Sequence, residues 1–269
     1  MTGLSARGPV LAISPHLDDA VMAVGATLAA LTETGHSVII CTVFAGEPVP
    51  PFSPVASSFH ADCGLDDRPV ARRRAEDIEA AREVGAATVH LSFLDAIYRR
   101  DGAGWLCATP RGMFDPELPA EPELRQAITA EVRRLVADTR PSAIWACAAI
   151  GDHVDHRIAR VAVADAGVSQ GWAPVLWEGI PYAMGLDPPE GVSPLRYAEV
   201  RDDHLSRKLA AIGRYSSQIQ MLWPEGQNWR SQFLDHARRR RALGAPELLW
   251  HPSPQQAPAR NPATPGSRP

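Results

Sequence analysis

The sequence of 269 residues predicts an α/β protein with a doubly wound, mostly parallel sheet and helices on both faces. Short apolar runs alternate with longer amphipathic runs as far as Gly179, and this alternation is typical of parallel strands joined by right-handed helical crossovers. One short run, SVIICTVF (37–44), is apolar at almost every position, which indicates a strand that helices cover on both sides.

Five short runs are predicted to be the strands of this sheet, because each is apolar and ends at turn or loop residues. They are PVLAIS (9–14), SVIICTVF (37–44), TVHLSFL (88–94), SAIWACAAI (142–150) and APVLWEG (173–179). Four helices are predicted between the strands from their apolar spacing and from stop signals such as Gly35 and Gly85. They cover residues 19–34, 70–84, 123–139 and 155–167. Together these elements form a Rossmann-like arrangement.

The connections and the last third of the chain have weaker patterns. Residues 48–69, rich in Pro, Ser and Gly, and residues 98–122, with several aromatic side chains, are predicted to be two long loops. Three further elements are predicted after Gly179, an edge strand and two helices, over residues 193–201, 203–221 and 228–243. The Pro/Ala/Gln-rich stretch 252–269 has no periodicity, so we expect a disordered tail behind a single domain of residues 1–251.

Composition and charge disfavour several classes of protein. With 45% apolar and 22% charged residues, the chain is ordinary for a soluble globular protein. Its net charge of -4 gives no electrostatic basis for binding nucleic acid or an anionic membrane. No apolar stretch reaches the ~18 residues of a transmembrane segment, and the apolar run near residue 10 is too short for a signal peptide. The four cysteines form no CxxC pair, so we expect neither a zinc knuckle nor a thioredoxin motif. We expect the protein to be cytoplasmic.

Two clusters of ionisable residues follow strands of the predicted sheet. PHLDD follows the first strand, and GDHVDHR (151–157) follows the fourth. Because the carboxyl ends of parallel strands meet at one edge of a sheet, both clusters are expected to lie there. They supply histidine and aspartate side chains, namely His16, Asp18, Asp19, His153, Asp155 and His156. Two imidazoles and a carboxylate with one open position are the usual ligands of a catalytic zinc, and a further carboxylate can serve as general base.

Other interpretations of these residues remain open. Asp18 and Asp19 could merely cap the first helix, and HVDHR could be a solvated helix start. HADC (60–63) has metal-ligand side chains, but it lies in a loop without a second half. A non-catalytic nucleotide- or sugar-binding module on the same scaffold is disfavoured, because neither GxGxxG nor a P-loop follows a strand. A zinc hydrolase that acts on a simple amide or a phosphoester is a further alternative.

The two clusters resemble a known family. PHLDDAVMAVGATLAAL with the distant HVDH is similar to the motifs of the PIG-L/LmbE-like zinc-dependent de-N-acetylases, and RRRAEDIEAAREVGA (72–86) resembles the family's Arg-x-x-Glu helix. The resemblance runs from about Val10 to Gly167. The family usually has Pro where Leu17 stands and Glu where Ala20 stands, and neither position supplies a metal ligand.

The resemblance implies a metal centre and a base. One Zn²⁺ per chain, or another divalent metal, is expected on His16, Asp19 and His156. Asp18 matches the family's general base. This assignment agrees with the chemistry, since an amide is a poor electrophile and zinc lowers the pKa of a bound water to ~7 while polarising the carbonyl.

The resemblance also implies roles for residues around the metal. His153 matches the group that steadies the tetrahedral oxyanion, and Asp155 matches its orienting partner. We expect His153 to act in its protonated form, with Asp155 keeping its pKa up. Arg73 aligns with an arginine that reaches toward substrate, and Asp95 stands where the family often has a sugar-binding aspartate.

The implied reaction is removal of an N-acetyl, or more generally N-acyl, group from an amino sugar. N-acetylglucosamine in a small glycoside or secondary metabolite, such as a glycopeptide antibiotic, is the expected substrate. A mycothiol-type thiol precursor is the alternative. Trp105 and Phe114, two aromatic residues of the second loop, are candidates for contacting the glycoside. Neither nucleic acid nor a transmembrane segment is expected to take part.

Overall fold

A six-stranded sheet forms the centre of the protein, and its five parallel strands are the five that the sequence predicts. The computed structural model describes residues 8–65, 68–102, 104–118, 121–225 and 227–252. The strands of the sheet are β1 (Val10–Ser14), β2 (Val38–Thr42), β3 (Ala87–His90), β6 (Ala143–Cys147), β7 (Val175–Trp177) and β8 (Leu249–Trp250), and a separate hairpin pairs β4 (Arg100–Asp101) with β5 (Gly104–Trp105). The sheet order is β3-β2-β1-β6-β7-β8, with every neighbouring pair parallel except β7 and β8.

Eight helices surround the sheet in the part of the chain that the structure describes. They are α1 (Asp19–Glu33), α2 (Pro54–Asp62), α3 (Pro69–Glu83), α4 (Pro122–Thr139), α5 (Val154–Val168), α6 (Asp202–Ile212), α7 (Ser216–Leu222) and α8 (Trp229–Arg241). Helices α1, α3 and α6 pack together, and α4 packs on α5. Alternate residues of β1 enter two different cores, Val10 and Ala12 in one and Leu11 and Ile13 in the other. This period of two shows that helices cover both faces of the sheet.

The sheet order determines where a ligand site can form. The chain runs from β1 outward through β2 to β3, and it then returns to place β6 on the other side of β1. The direction in which successive strands are added to the sheet therefore reverses between β1 and β6. Such a switch point opens a crevice at the carboxyl ends of the strands. Ile13 pairs with Ala146 in this parallel register, so β1 and β6 end side by side. Both ionisable clusters emerge at this crevice.

Three predictions about secondary structure were wrong: the loop 48–69, the strand 193–201 and the single helix 203–221. The predicted loop 48–69 contains α2, whose first turn is capped by Ser53 accepting the N–H of Ala56 at 2.9 Å. Residues 193–201 form no strand; only Leu195 donates its N–H to the sheet, to the carbonyl of Leu249, and β8 occupies the edge instead. Pro194 lacks the N–H that a continued ladder needs.

The predicted helix 203–221 is two helices, α6 and α7, separated by residues 213–215. The turn buries Tyr215, whose hydroxyl donates a 2.8 Å hydrogen bond to Asp77 of α3. The second predicted loop carries the β4–β5 hairpin and 3-10 turns at Ala96–Tyr98 and Pro110–Phe114. The predicted disordered tail, apart from Pro252, lies outside the described residues. Within the described ranges, the helices lack the combination of length and apolarity that crossing a bilayer requires.

Candidate active site

Three side-chain atoms converge at the crevice between β1 and β6. His16 lies in the turn after β1, Asp19 opens α1, and His156 stands in the first turn of α5. Asp19 Oδ2 is 3.3 Å from His16 Nδ1 and 3.2 Å from His156 Nε2, and the two nitrogens are 3.2 Å apart. The three side chains are buried, and the backbone N–H of His16 donates to the same carboxylate oxygen at 2.8 Å.

This near-equilateral triangle fits a zinc ion. Ligand atoms 2.0–2.1 Å from a tetrahedral zinc are about 3.3 Å from one another, which matches the three observed separations. Two nitrogens and one carboxylate oxygen are also the donors that a catalytic zinc with an open position takes. A looser grouping of His16, His153 and His156 has ligand atoms within 4.8 Å of one another. The grouping with Asp19 is tighter, and it agrees with the sequence-based ligand set.

The second nitrogen of His16 faces a buried carboxylate. Nε2 lies 3.1 Å from Asp155 Oδ2 and 3.5 Å from Asp95 Oδ2. Asp155 is fully buried, and its Oδ2 also accepts the N–H of Ala96 at 2.9 Å. A carboxylate that accepts the N–H of a metal-ligating histidine fixes both the tautomer and the direction of the ring. With zinc bound, this would leave Nδ1 of His16 unprotonated, with its lone pair directed at the space between Asp19 and His156.

Asp155 therefore contacts a different histidine from the one that the sequence suggested. We expected its carboxylate to orient His153 and to raise the pKa of that histidine. Instead the carboxylate turns to His16 and Arg99, and His153 receives only the backbone N–H of Asp155, on Nδ1 at 3.2 Å. Burial, and next the neighbouring His16, lower the pKa of His153 well below its usual value. In the metal-free protein this direction favours a neutral His153 ring, whereas the sequence analysis expects a protonated one.

The side chain of Asp18 does not cap helix α1. The residue is the N-cap of α1, yet its side chain accepts no capping hydrogen bond. Its Oδ2 lies 3.7 Å from Nη2 of Arg73, which is buried on α3. Burial, and next the negative charge of Asp19, raise the pKa of Asp18 to about 6. A carboxylate with this pKa is well matched to accepting and returning a proton near neutral pH.

A cavity of about 310 Å³ opens above these groups. Most of the site residues predicted from the sequence contribute to its wall, namely His16, Asp18, Asp19, Arg73, Asp95, Phe114 and His153. Asp155 and His156 lie behind that wall. Trp105 does not line the cavity, so its predicted substrate contact is not supported: it stays in the β4–β5 hairpin, where the guanidinium of Arg100 stacks 3.8 Å from its ring centre.

Several lining residues were missed by the sequence analysis. Helix α2 contributes Val55, Ser58 and Asp62, helix α7 contributes Gln218, Met221 and Leu222, and the connection after β7 contributes Ile180, Pro181 and Tyr182. The Ser-Pro pair that opens α2 and the position of Tyr182 after a parallel strand were usable signals. His60 of HADC (60–63) pairs through Nε2 with the Tyr98 hydroxyl at 2.8 Å, and none of the candidate metal-ligand groups among the described residues includes a side chain of this stretch.

The chain matches the PIG-L family, described as GlcNAc-PI de-N-acetylase, over residues 11–167. It is 33% identical over 187 residues to the 2′-N-acetylparomamine deacetylase of Niallia circulans, a match that covers 63% of this chain and 66% of the relative. The Streptomyces fradiae enzyme of the same name is 30% identical, with 67% of this chain and 60% of the relative covered. The chain thus spans less than two thirds of the length of either curated relative.

Two solved structures share the fold over most of both chains. The zinc-inhibited form of teicoplanin deacetylase Orf2 is 36% identical with a TM-score of 0.77, covering 90% of this chain and 97% of that one. The A40926 pseudoaglycone deacetylase Dbv21 is 34% identical with a TM-score of 0.74, covering 91% and 96%. Because each of these matches covers about nine tenths of the chain, both extend beyond the residues 11–167 of the family match.

Proposed function

Because the chain belongs to the PIG-L de-N-acetylase family, we propose that it hydrolyses the N-acetyl group of an N-acetylglucosamine-type sugar in a glycopeptide-like glycoside. The observation that carries the reaction type is the triangle of His16, Asp19 and His156 beneath an open cavity. These residues would hold the zinc ion. A zinc ion acidifies water and polarises an amide carbonyl, which is the activation that hydrolysis of an unreactive amide needs.

Asp18 is the proposed general base. It lines the cavity next to the ligand Asp19, its carboxylate does not cap the helix, and its ion pair with Arg73 is long, at 3.7 Å. With a pKa raised to about 6 by burial and by Asp19, Asp18 is ionised at neutral pH. It can take the proton of the attacking water and return it to the leaving amine. Arg73, 3.7 Å away, restrains the carboxylate without neutralising it.

His153 is the proposed oxyanion donor. Its ring is edge-on to His16 at 4.9 Å between centroids, and it stands in the cavity wall. The Asp155 backbone N–H occupies Nδ1, so the proton of the neutral ring lies on Nε2. A fixed N–H donor next to the carbonyl oxygen stabilises the charge that develops there without a change in its own protonation.

The wall of the cavity supports a substrate with a large apolar part. Of the 21 lining residues, 12 are aliphatic, aromatic, Met or Pro, among them Met22, Val55, Phe59, Met113 and Leu222. A site for a strictly polar saccharide would be expected to present mostly hydrogen-bonding groups beyond the reacting centre, because buried sugar hydroxyls need partners. Glycopeptide aglycones, by contrast, offer aromatic and apolar surface. The apolar wall therefore favours a glycopeptide, the kind of substrate named for the structural relatives, over 2′-N-acetylparomamine, the substrate named for the curated relatives.

The test is a comparison of acetate release by the zinc-loaded enzyme from two substrates. One is an N-acetylglucosaminyl glycopeptide pseudoaglycone, and the other is 2′-N-acetylparomamine. We expect a higher kcat/KM for the glycopeptide, with the free amine identified by mass. Faster turnover of 2′-N-acetylparomamine would reverse the substrate assignment, and failure to release acetate from either would remove the function.

We also propose that the reaction takes place in the cytoplasm. All four cysteines are buried free thiols, and burial raises the pKa of Cys41 and of Cys147 to about 12. A protein with free thiols fits a reducing compartment, where disulfides rarely form. Fractionation of cells that express the protein, with the enzyme followed by its activity, checks this location.

A further inference from the structure

We propose that Arg99 is a positioning residue for the metal centre, which it reaches through Asp155 and His16. The inference rests on the proposed zinc site. Arg99 follows the 3-10 turn Ala96–Tyr98, well outside both ionisable clusters. It touches none of the three proposed ligands, and it is absent from the cavity wall.

A continuous series of buried polar contacts connects Arg99 to the ligand His16. Nη1 of Arg99 is 2.7 Å from Asp155 Oδ1, and Asp155 Oδ2 is 3.1 Å from His16 Nε2. On the other side, Nε and Nη2 of Arg99 bind the two carboxylate oxygens of Glu121 at 2.9 and 2.8 Å. Nη1 also donates to the carbonyl of Leu94 at 2.8 Å. The guanidinium therefore cannot rotate without breaking several bonds at once.

These contacts fix the direction of the Asp155 carboxylate. Arg99 engages one oxygen, while the other accepts the N–H of Ala96 and faces His16. The carboxylate consequently points its second oxygen at Nε2 of His16, which leaves Nδ1 aimed at Asp19 and His156. Without Arg99, the carboxylate gains freedom to turn, and the imidazole loses the partner that sets its ring orientation.

Stability alone does not account for this arrangement. The Arg99 side chain is 8% exposed and the Asp155 side chain 0%. Burying such charges is unfavourable, and a set of apolar residues of the same volume would commonly serve the fold as well or better. Glu121 moreover adopts a φ of 40° and a ψ of 62° at the start of α4, a left-handed conformation that is uncommon outside glycine. The left-handed backbone of Glu121 places its carboxylate against Arg99, and the buried Arg99 in turn contacts Asp155.

Arg240 provides a matched control within the same chain. It too is buried, it too binds both oxygens of a glutamate, Glu178, through Nε and Nη2, and it too donates to the carbonyl of a leucine, Leu186. The contacts of Arg240 do not include Asp155 or a proposed ligand. Arg240→Met and Arg99→Met therefore remove the same kind of buried interaction, and only one of them is coupled to His16.

The experiment measures zinc affinity by chelator competition and thermal stability for the full chain. Both substitutions are expected to lower Tm. Arg99→Met should weaken zinc binding ~10–100-fold, the range seen when the partner of a ligating histidine is lost. Arg240→Met should stay within about 2-fold of wild type. Equal zinc affinity in the two variants overturns the proposal. Failure of the wild-type protein to bind zinc would overturn the zinc site as well, so the two results are distinguishable.

A double-mutant cycle tests the route through Asp155. Asp155→Asn alone should weaken zinc binding, and adding Arg99→Met should then change it by less than about 3-fold, because the two residues act in series. Full additivity contradicts the route. If Arg99→Met does not fold, Glu121→Gln carries the test, since a Gln side chain holds the guanidinium through only one oxygen. A several-fold loss of zinc affinity, with a changed visible spectrum of the Co²⁺-loaded protein, is expected, and wild-type values overturn the proposal.

Discussion

Asp18 and Asp19 are consecutive residues, yet their carboxylates have opposite surroundings. Asp19 Oδ2 lies 3.2 Å from His156 Nε2 and 3.3 Å from His16 Nδ1, whereas Asp18 Oδ2 lies 3.7 Å from Arg73 and faces the cavity. Although burial opposes ionisation of Asp19, His156 holds its pKa well below the usual range, while burial and Asp19 raise the pKa of Asp18 to about 6. Adjacent positions at a helix start point in different directions, which allows this division between a ligand and a base.

The first prediction separates these two roles. Asp18→Asn should keep one zinc per chain and lose turnover by ~10²–10⁴-fold, the contribution of a general base. Asp19→Asn should lose most of its zinc, because it removes the anionic member of the ligand triangle. Metal content by elemental analysis and kcat on the glycoside are the two measurements. The substitutions have the same size and are adjacent, so each controls for the other; zinc loss in Asp18→Asn would exchange their roles.

The second prediction concerns the pH dependence of stability in the metal-free protein. Folding raises the pKa of Asp18 from 3.8 to about 6, so the folded state binds this proton more tightly than the unfolded state does. Stability therefore falls as the pH rises from about 4 to about 6, and above that range Asp18 destabilises the protein by on the order of 3 kcal/mol. Asp18→Asn should raise Tm at pH 7 by several degrees, with roughly half of that gain at pH 5.

The control for this stability effect is Asp62→Asn, which changes an exposed carboxylate of the same cavity wall. Its Tm should follow that of the wild-type protein at both pH values. A lower Tm for Asp18→Asn at pH 7, measured with a chelator present, would show that the ion pair with Arg73 outweighs burial. If Asp18→Asn is more stable but inactive, the negative charge of Asp18 destabilises the fold and is nevertheless needed for catalysis.

The third prediction concerns the aromatic wall of the cavity. Phe114 is 37% exposed and packs edge-on against His153 and Tyr182, with centroids 5.3 and 5.8 Å away. Phe114→Ala should raise KM for a glycopeptide-type substrate about tenfold, the loss expected for one buried aromatic contact, and should affect a simple N-acetylglucosaminide much less. Trp105→Ala, in the same connection but outside the cavity, should leave both KM values near wild type. A larger effect of Trp105→Ala would restore the sequence-based assignment.

The meeting of the two ionisable clusters was predictable from the sequence because both directly follow parallel strands. Once β1 and β6 are neighbours, the residues after them must meet at the switch point, whereas the choice of His16, Asp19 and His156 as metal ligands came from the family resemblance. Arg99 was not predictable, since nothing in IYRRDG distinguishes a buried arginine from the exposed Arg100 beside it. The contributions of α2 and α7 to the wall depend on long-range packing, which local patterns do not encode.

The last prediction concerns the chain's single lysine, Lys208. Helix α1 is interrupted at Val24, and a buried ion pair from two distant segments fills the interruption. Lys208 of α6 donates to the Ala23 carbonyl at 3.1 Å and binds Glu247 at 2.6 Å. Glu247 in turn accepts three hydrogen bonds, from the N–H of Ala26 and from both the N–H and the hydroxyl of Thr27. The pair thus satisfies groups that a continuous helix would have paired internally.

Lys208→Met should therefore lower the free energy of unfolding by about 3 kcal/mol, because it leaves Glu247 charged and buried without its cation. The matched surface substitution is Arg134→Met, which removes an exposed arginine that pairs with Glu131 and Asp138 on α4. It should leave the free energy of unfolding close to that of the wild-type protein, since exposed ion pairs contribute little. Urea unfolding of both variants measures the difference. Equal stability losses would mean that the break in α1 is held by apolar packing, and that Lys208 and Glu247 merely occupy it.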